Sequence, residues 1–135
     1  GKIVLDGNAE KVSVTYHDSC YLGRVNNIYE VPREVLTQLN VELKEMSRSR
    51  SNGLCCGAGG AQMFKEDEPG EKRINVERVE EALSAGAATI VSNCPFCMTM
   101  MTDGVKHFSH SDGFPEKTEE VTVKDIAEII LENIN

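Results

Sequence analysis

Segments with strand-like and helix-like periodicity alternate along this chain, and this order constrains its fold more than any other feature. Residues 11–17 (KVSVTYH) alternate polar and apolar side chains and are rich in β-branched residues, as is typical of a strand. Strands that alternate with amphipathic helices favour a mostly parallel sheet with helices on both faces. We therefore predict an α/β fold, Rossmann-like, with a sheet of three to four strands.

The boundaries of these elements follow from periodicity and from the positions of proline and glycine. Pro32 and Pro95 are placed where helices begin, and Gly86 is placed where one ends. Polar or acidic stretches at 47–53 and 109–120 predict loops. The predicted strands are 11–17, 41–46, 88–92 and 121–123, with a short edge piece at 3–5, and the predicted helices are 32–40, 71–85, 95–108 and the segment from 126 to the C-terminus.

Length and charge narrow the classes of function. The 135 residues show no internal repeat or long linker, so we expect one domain covering residues 1–135. With 14 Lys and Arg against 22 Asp and Glu, the net charge is −8, which argues against nucleic acid as a partner. No apolar stretch is long enough for direct membrane insertion. Because the chain begins at Gly1 rather than Met, we expect an excised piece of something longer.

Five cysteines follow the predicted strands. Cys20 lies just after the first strand, Cys55 and Cys56 follow the second after a loop, and Cys94 directly follows the third, with Cys97 three positions later. The carboxyl ends of parallel strands share one edge of a sheet, so these distant thiols are expected to converge there. An odd number of cysteines does not fit a fully paired disulfide framework. We therefore expect a reducing compartment and thiols kept for metal or redox chemistry.

The local sequence around the cysteines suits a metal or cluster. Thiolates are the ligands of iron–sulfur clusters, and Cys94 and Cys97 have the two-residue separation that can bind one metal or neighbouring irons. Gly57, Gly59 and Gly60 leave backbone N–H groups uncovered, and such donors stabilise cluster sulfides. This glycine-rich stretch matches neither a Walker loop nor a dinucleotide-binding fingerprint.

Two other hypotheses about the function of the cysteines stay open. Four of the five could form a closed tetrahedral zinc site in a structural module for subunit assembly. The sequence strand–CPFC–helix is also how thioredoxin-like dithiol exchangers are built, although that function leaves Cys20, Cys55 and Cys56 without a role. His17 and Asp18 are close enough to Cys20 to supply a ligand, a proton or a hydrogen bond, or only to close a turn.

Taken together, the motifs resemble the CCG, or cysteine-rich, domain of heterodisulfide reductase B/D subunits. The matching segments are YHDSCYLGR at 16–24, PREVL at 32–36, LCCGAGG at 54–60 and CPFC at 94–97. Related domains occur in glycolate oxidase iron–sulfur subunits, in anaerobic glycerol-3-phosphate dehydrogenase C subunits and in membrane-associated iron–sulfur oxidoreductases. This chain departs from the family pattern at Ser19, where Pro is common, and at Ala61 and Gln62, where Gly-Arg is often seen.

The resemblance implies an electron-transfer domain in which all five cysteines bind one [4Fe–4S]-type cluster, which is non-cubane in heterodisulfide reductases. Some copies of the domain bind zinc instead. The implied partners are other redox subunits or domains, which could be ferredoxin-like proteins, flavoproteins or membrane proteins linked to quinone. The family usually carries two such domains, so the single one here implies an excised, C-terminal part of a larger cytoplasmic subunit, peripheral to the membrane only through that parent protein. The resemblance leaves open whether the domain itself reduces a substrate or only relays electrons.

Overall fold

A parallel sheet of four strands forms the centre of the protein in the computed structural model, which describes residues 4–5, 10–110 and 120–134. The elements are β1 Val12–Tyr16, α1 Glu30–Thr37, β2 Val41–Leu43, α2 Ile74–Ser84, β3 Thr89–Ser92, α3 Pro95–Ser109, β4 Thr122–Asp125 and α4 Ile126–Glu132. The strands lie in the order β2-β1-β3-β4. Short turns of π- or 3₁₀-helix lie in the loops at Tyr21–Val25, Arg50–Asn52 and Gln62–Phe64.

The register of the sheet aligns the ends of the two central strands. Val14 of β1 pairs with Leu43 of β2 on one side and with Thr89 of β3 on the other. Val91 of β3 pairs in turn with Lys124 of β4. All three pairings are parallel, so the carboxyl ends of the strands lie at one edge, as the alternation of elements predicts.

Two apolar clusters cover opposite faces of this sheet. Val14 and Val91 belong to the cluster that includes Leu36 of α1 and Ile129 of α4. Ile90, whose side chain points the other way from that of its neighbour in β3, belongs to the cluster that α2 and α3 cover. The predicted α/β fold with helices on both faces is therefore confirmed.

Helices α2 and α3 approach each other closely at Gly104. A Cβ atom at this position would lie 2.5 Å from Cγ2 of Val79 and 3.1 Å from the carbonyl oxygen of Asn75. Only glycine lets the two helix backbones come this near without displacing neighbouring atoms. This contact matters for the site, because α2 carries Arg78 and α3 carries Cys97.

Several boundaries differ from the prediction. Helix α1 starts at Glu30 rather than at Pro32, which is possible because the first N–H groups of a helix have no partner within it. β2 ends at Leu43, and although the N–H of Lys44 still donates to the carbonyl oxygen of Val14, residues 44–46 form no strand. α2 begins at Ile74, three residues later than predicted, and ends as predicted before Gly86, which has a φ of +73°.

The ends of the chain agree in part. Leu5 forms an antiparallel bridge with Ile134, but residue 3 of the predicted edge piece lies outside the described residues. The predicted loop at 109–120 also lies mostly outside them, since residues 111–119 are not described and Ser109 ends α3. Within the described ranges, no helix combines the length and the apolar character needed to cross a bilayer.

Candidate metal centre

Two cysteines from distant parts of the chain meet at the carboxyl edge of the sheet. The thiol of Cys97 donates a hydrogen bond to the sulfur of Cys56, 3.3 Å away, although the two residues are 41 positions apart. Both side chains are almost fully buried, with exposed fractions of 2% and 3%. Cys97 lies in the first turn of α3, and the position of this helix follows from the buried strand β3 that precedes it. All five cysteines are free thiols.

His17 completes a buried group of three possible metal ligands. It directly follows β1, and one of its ring nitrogens and the sulfurs of Cys56 and Cys97 all lie within 4.8 Å of one another. The imidazole Nδ1 accepts a hydrogen bond from Nε–H of Arg78 at 3.0 Å. Burial, with the positive charge of Arg78 as the second cause, lowers the pKa of His17 to about 3, so the ring is neutral.

Cys55 lies beside this group and interacts with it through Cys56. The N–H of Gly57 donates to the sulfur of Cys55 at 3.3 Å. Contact with the Cys56 thiol, and then burial, raise the pKa of Cys55 above its ordinary value. For Cys56, the Cys55 thiol lowers the pKa, but the Cys97 thiol and burial outweigh it and raise the pKa to about 11. The folded chain alone therefore keeps this pair protonated, and a bound cation would be needed to convert them to thiolates.

Cys20 and Cys94 lie on loops that are joined to each other. The hydroxyl of Ser19 donates to Oδ1 of Asn93 at 3.2 Å, so the residues directly before these two cysteines are in contact. Cys20 is exposed and Cys94 is half-buried at the N-cap of α3. Among the cysteines, which all lie in described parts of the chain, Cys20, Cys55 and Cys94 are outside the group of three within 4.8 Å.

The glycines after Cys56 have different environments. Gly57 has a φ of +90°, which a residue with a side chain rarely adopts, and this conformation lets its N–H face the Cys55 sulfur. Gly59 and Gly60 border open space, with nothing within 4 Å of an added Cβ. Ala61 follows with a φ of +60°, a left-handed conformation that glycine adopts without cost. Of the three glycines, Gly57 therefore places an N–H donor beside a cysteine sulfur.

The carboxylate of Asp18 forms an ion pair with Arg33 rather than interacting with the thiols. Its carboxylate accepts two hydrogen bonds from Arg33, at 2.7 and 2.9 Å, and one from the backbone N–H of Arg50 at 2.7 Å. Burial raises the pKa of Asp18, but these donors outweigh it and hold the pKa below its ordinary value. Arg24 donates to the carbonyl oxygen of Gly53 at 2.7 Å, which ties the turn after Cys20 to the segment before Cys55.

Sequence reasoning missed Arg78, whose side chain is fully buried beside His17. Its signal was weak: Asn75, Arg78 and Ala82 run at helical spacing next to the apolar positions of α2, and all three are buried. Tyr16 and Asn93 were missed as well. The hydroxyl of Tyr16 donates to Oδ1 of Asn93 at 3.0 Å, and this bond supports the loop before Cys94.

Comparisons with known proteins relate this chain to cysteine-rich domains of redox proteins. The family model for the CCG cysteine-rich domain matches residues 14–102. A probable iron–sulfur-binding oxidoreductase, FadF, of Bacillus subtilis is 45% identical over 90% of this chain and 16% of its own length. An EtfAB:quinone oxidoreductase of Syntrophomonas wolfei is 39% identical over 96% of this chain and 19% of its own length.

A dihydromethanophenazine:CoB–CoM heterodisulfide reductase component of Methanosarcina barkeri is 36% identical over 89% of this chain and 27% of its own length. The chain thus spans less than a third of each of these relatives. No solved structure matches it. The family match covers about two thirds of the chain, including all five cysteines, and the chain belongs to the CCG cysteine-rich domain family.

Proposed function

We propose that this chain is an iron–sulfur electron-transfer domain of an oxidoreductase, in which the five cysteines hold one [4Fe–4S]-type cluster. The observation that carries the proposal is the contact between the buried sulfurs of Cys56 and Cys97, which come from a loop and from the first turn of α3 at the carboxyl edge of the sheet. The proposed ligands are Cys20, Cys55, Cys56, Cys94 and Cys97.

The chemistry of the site fits such a cluster. Its donor atoms are soft sulfurs, which iron–sulfur clusters require. The Gly57 N–H already points at one of these sulfurs, and Gly59 and Gly60 leave room beside the loop for a bulky group. Once bound, a cluster would supply one-electron redox chemistry, while the chain's own residues would set its potential through hydrogen bonds and burial.

The names of the relatives support a role in a larger redox protein. They include an EtfAB:quinone oxidoreductase, a probable membrane-anchored ferredoxin of Chromohalobacter salexigens and a heterodisulfide reductase component. By analogy, the parent of this chain would pass electrons between a flavoprotein or ferredoxin-like partner and a quinone or disulfide. It would be cytoplasmic and peripheral to the membrane through other segments.

The test is anaerobic reconstitution with iron and sulfide, followed by metal counting and EPR. We expect iron uptake by the wild-type chain and a loss of iron in each of the five single Cys→Ala variants. Met98→Leu serves as the control, because Met98 carries a half-buried sulfur one residue after Cys97 that is not a proposed ligand. Failure of the wild-type chain to take up iron, or full iron content in both Cys20→Ala and Cys94→Ala, would reject the five-ligand cluster.

A structural zinc module is the second candidate. The sulfurs of Cys56 and Cys97 are already in contact, and with two of the other three cysteines they would form a closed tetrahedral set. X-ray absorption on protein isolated anaerobically distinguishes the two, because zinc at stoichiometric level would favour this module. A dithiol exchanger built on Cys94 and Cys97 is less well supported, because the thiol of Cys97 bonds to the sulfur of Cys56, which such an exchanger does not use.

A further inference from the structure

The hydrogen bond between Arg78 and His17 determines which nitrogen of the imidazole carries a proton. A guanidinium has only N–H donors, so the Nδ1 atom that receives Nε–H of Arg78 must offer a lone pair. A neutral imidazole whose Nδ1 is an acceptor carries its proton on Nε2. The buried ring of His17 therefore presents an N–H group at its other nitrogen.

Arg78 is held in place by several acceptors. Its Nη1 donates to the carbonyl oxygen of Arg48 at 2.8 Å and to Oε2 of Glu81 at 3.1 Å. Glu81 is held in turn by the Ser47 hydroxyl, at 2.7 Å from Oε1. The guanidinium has no exposed surface, and although its Nη2 has no hydrogen-bond partner among the described residues, its Nε and Nη1 are both bonded. It therefore cannot turn away from His17 without breaking these buried hydrogen bonds.

This arrangement is the reverse of the one around metal-bound histidines. A ligating histidine gives its lone pair to the metal and donates its other N–H to a carboxylate, a carbonyl or water. Here the other nitrogen accepts from a cation, so binding a metal through Nε2 while this bond is kept would require the ring to lose its remaining N–H proton and become an imidazolate. Proximity to Cys56 and Cys97 thus does not make His17 a ligand.

We propose that His17 donates Nε2–H to sulfur at the Cys56–Cys97 edge of the site, and that Arg78 is the positioning residue that selects this tautomer. The proposal rests on the proposed function, since the accepting sulfur would belong to a bound cluster or to one of its cysteine ligands. A hydrogen bond to sulfur stabilises the more negative, reduced state and raises the reduction potential. The buried positive charge of Arg78 behind the ring acts in the same direction.

The first experiment uses the metal-free chain, so its outcome does not depend on iron uptake. In protein with ¹⁵N-labelled histidine, long-range ¹H–¹⁵N correlation spectra should show His17 protonated at Nε2 and unprotonated at Nδ1. Arg78→Met should abolish this single tautomer and give a mixture. Arg48→Gln is the matched control, because its side chain also pairs with Glu81 but does not contact His17, and it should leave the tautomer unchanged. A proton on Nδ1 in the wild-type chain would overturn the proposal without any variant.

The second experiment uses the reconstituted chain. Pulsed EPR should show only weak coupling to the His17 nitrogen, and directly coordinated nitrogen would overturn the proposal. In a redox titration, His17→Leu should shift the potential to more negative values. His17→Gln, whose amide N–H reaches a position close to that of Nε2, should keep most of the wild-type value, and an equal shift in both variants would reject the donor role. Absent iron uptake in the wild-type chain would instead reject the proposed function, while the tautomer measurement still tests Arg78 and His17.

Discussion

Replacement of Gly104 by alanine tests whether the close approach of α2 and α3 is structurally required. The new Cβ would lie 2.5 Å from Cγ2 of Val79, a fully buried and β-branched side chain that has little freedom to move. Overpacking of this kind costs about 1–3 kcal/mol. Alanine is favoured over glycine in a helix by about 1 kcal/mol. We expect a net loss of up to about 2 kcal/mol in the free energy of unfolding.

A double-mutant cycle makes this prediction sharper. In a Val79→Ala background the Cγ2 atom is gone, and the remaining close contacts of the new Cβ are at 3.1 Å. Gly104→Ala should then cost less than in the wild type, with a coupling energy of about 1–2 kcal/mol. Urea unfolding of the metal-free chain, followed by circular dichroism, measures all four proteins.

Gly59→Ala is the control for this cycle, since an added Cβ there meets nothing within 4 Å, and its stability should stay within about 0.5 kcal/mol of the wild type or rise. Equal costs of Gly104→Ala in both backgrounds would refute the packing argument. An increase in stability caused by Gly104→Ala in the wild-type background would also refute it, because the helix propensity of alanine would then outweigh the close contact with Val79.

Three further predictions follow from single residues. Ala61→Gly should stabilise the chain by up to about 1 kcal/mol in urea unfolding, because Ala61 has a φ of +60°, and an unchanged or lower stability would contradict this. The pKa of Asp18 is depressed in the folded state, so its contribution to stability is present above its unfolded value near 3.8 and is lost as the pH falls through the folded pKa. Asp18→Asn should therefore lower stability at pH 7 by about 3 kcal/mol and flatten the acid limb of a pH–stability profile, whereas an unaltered limb would show that the ion pair with Arg33 is not its source. Folding raises the pKa of the Cys56 thiol from 9.0 to about 11. At pH 8 an alkylating reagent should therefore modify Cys56 at least about a hundredfold more slowly in the metal-free folded chain than in the urea-unfolded chain. Similar rates in the two states, measured by peptide mapping, would contradict this.

Much of the fold could be predicted because its signals are local. The β-branched run in β1, the buried run in β3 and Pro95 at the start of α3 each act within a few residues. The convergence of the cysteine loops also followed, because parallel strands place their carboxyl ends at one edge whatever the details of packing.

The chemistry around the thiols could not be predicted in the same way. Arg78 and His17 are 61 positions apart, and their contact depends on how α2 rests on the sheet. That placement in turn depends on Gly104, a glycine inside a helix whose neighbours no local pattern specifies. The sequence places Asp18 close enough to Cys20 to interact with the thiols, but its carboxylate bonds to Arg33, 15 positions away.

X-ray absorption at the iron edge of the anaerobically reconstituted chain tests the central claim most directly, because it counts the neighbours of the metal. The account predicts iron surrounded by sulfur alone, with other iron atoms nearby and about four irons per chain. A single isolated metal ion, or nitrogen of His17 in its coordination shell, would contradict the account.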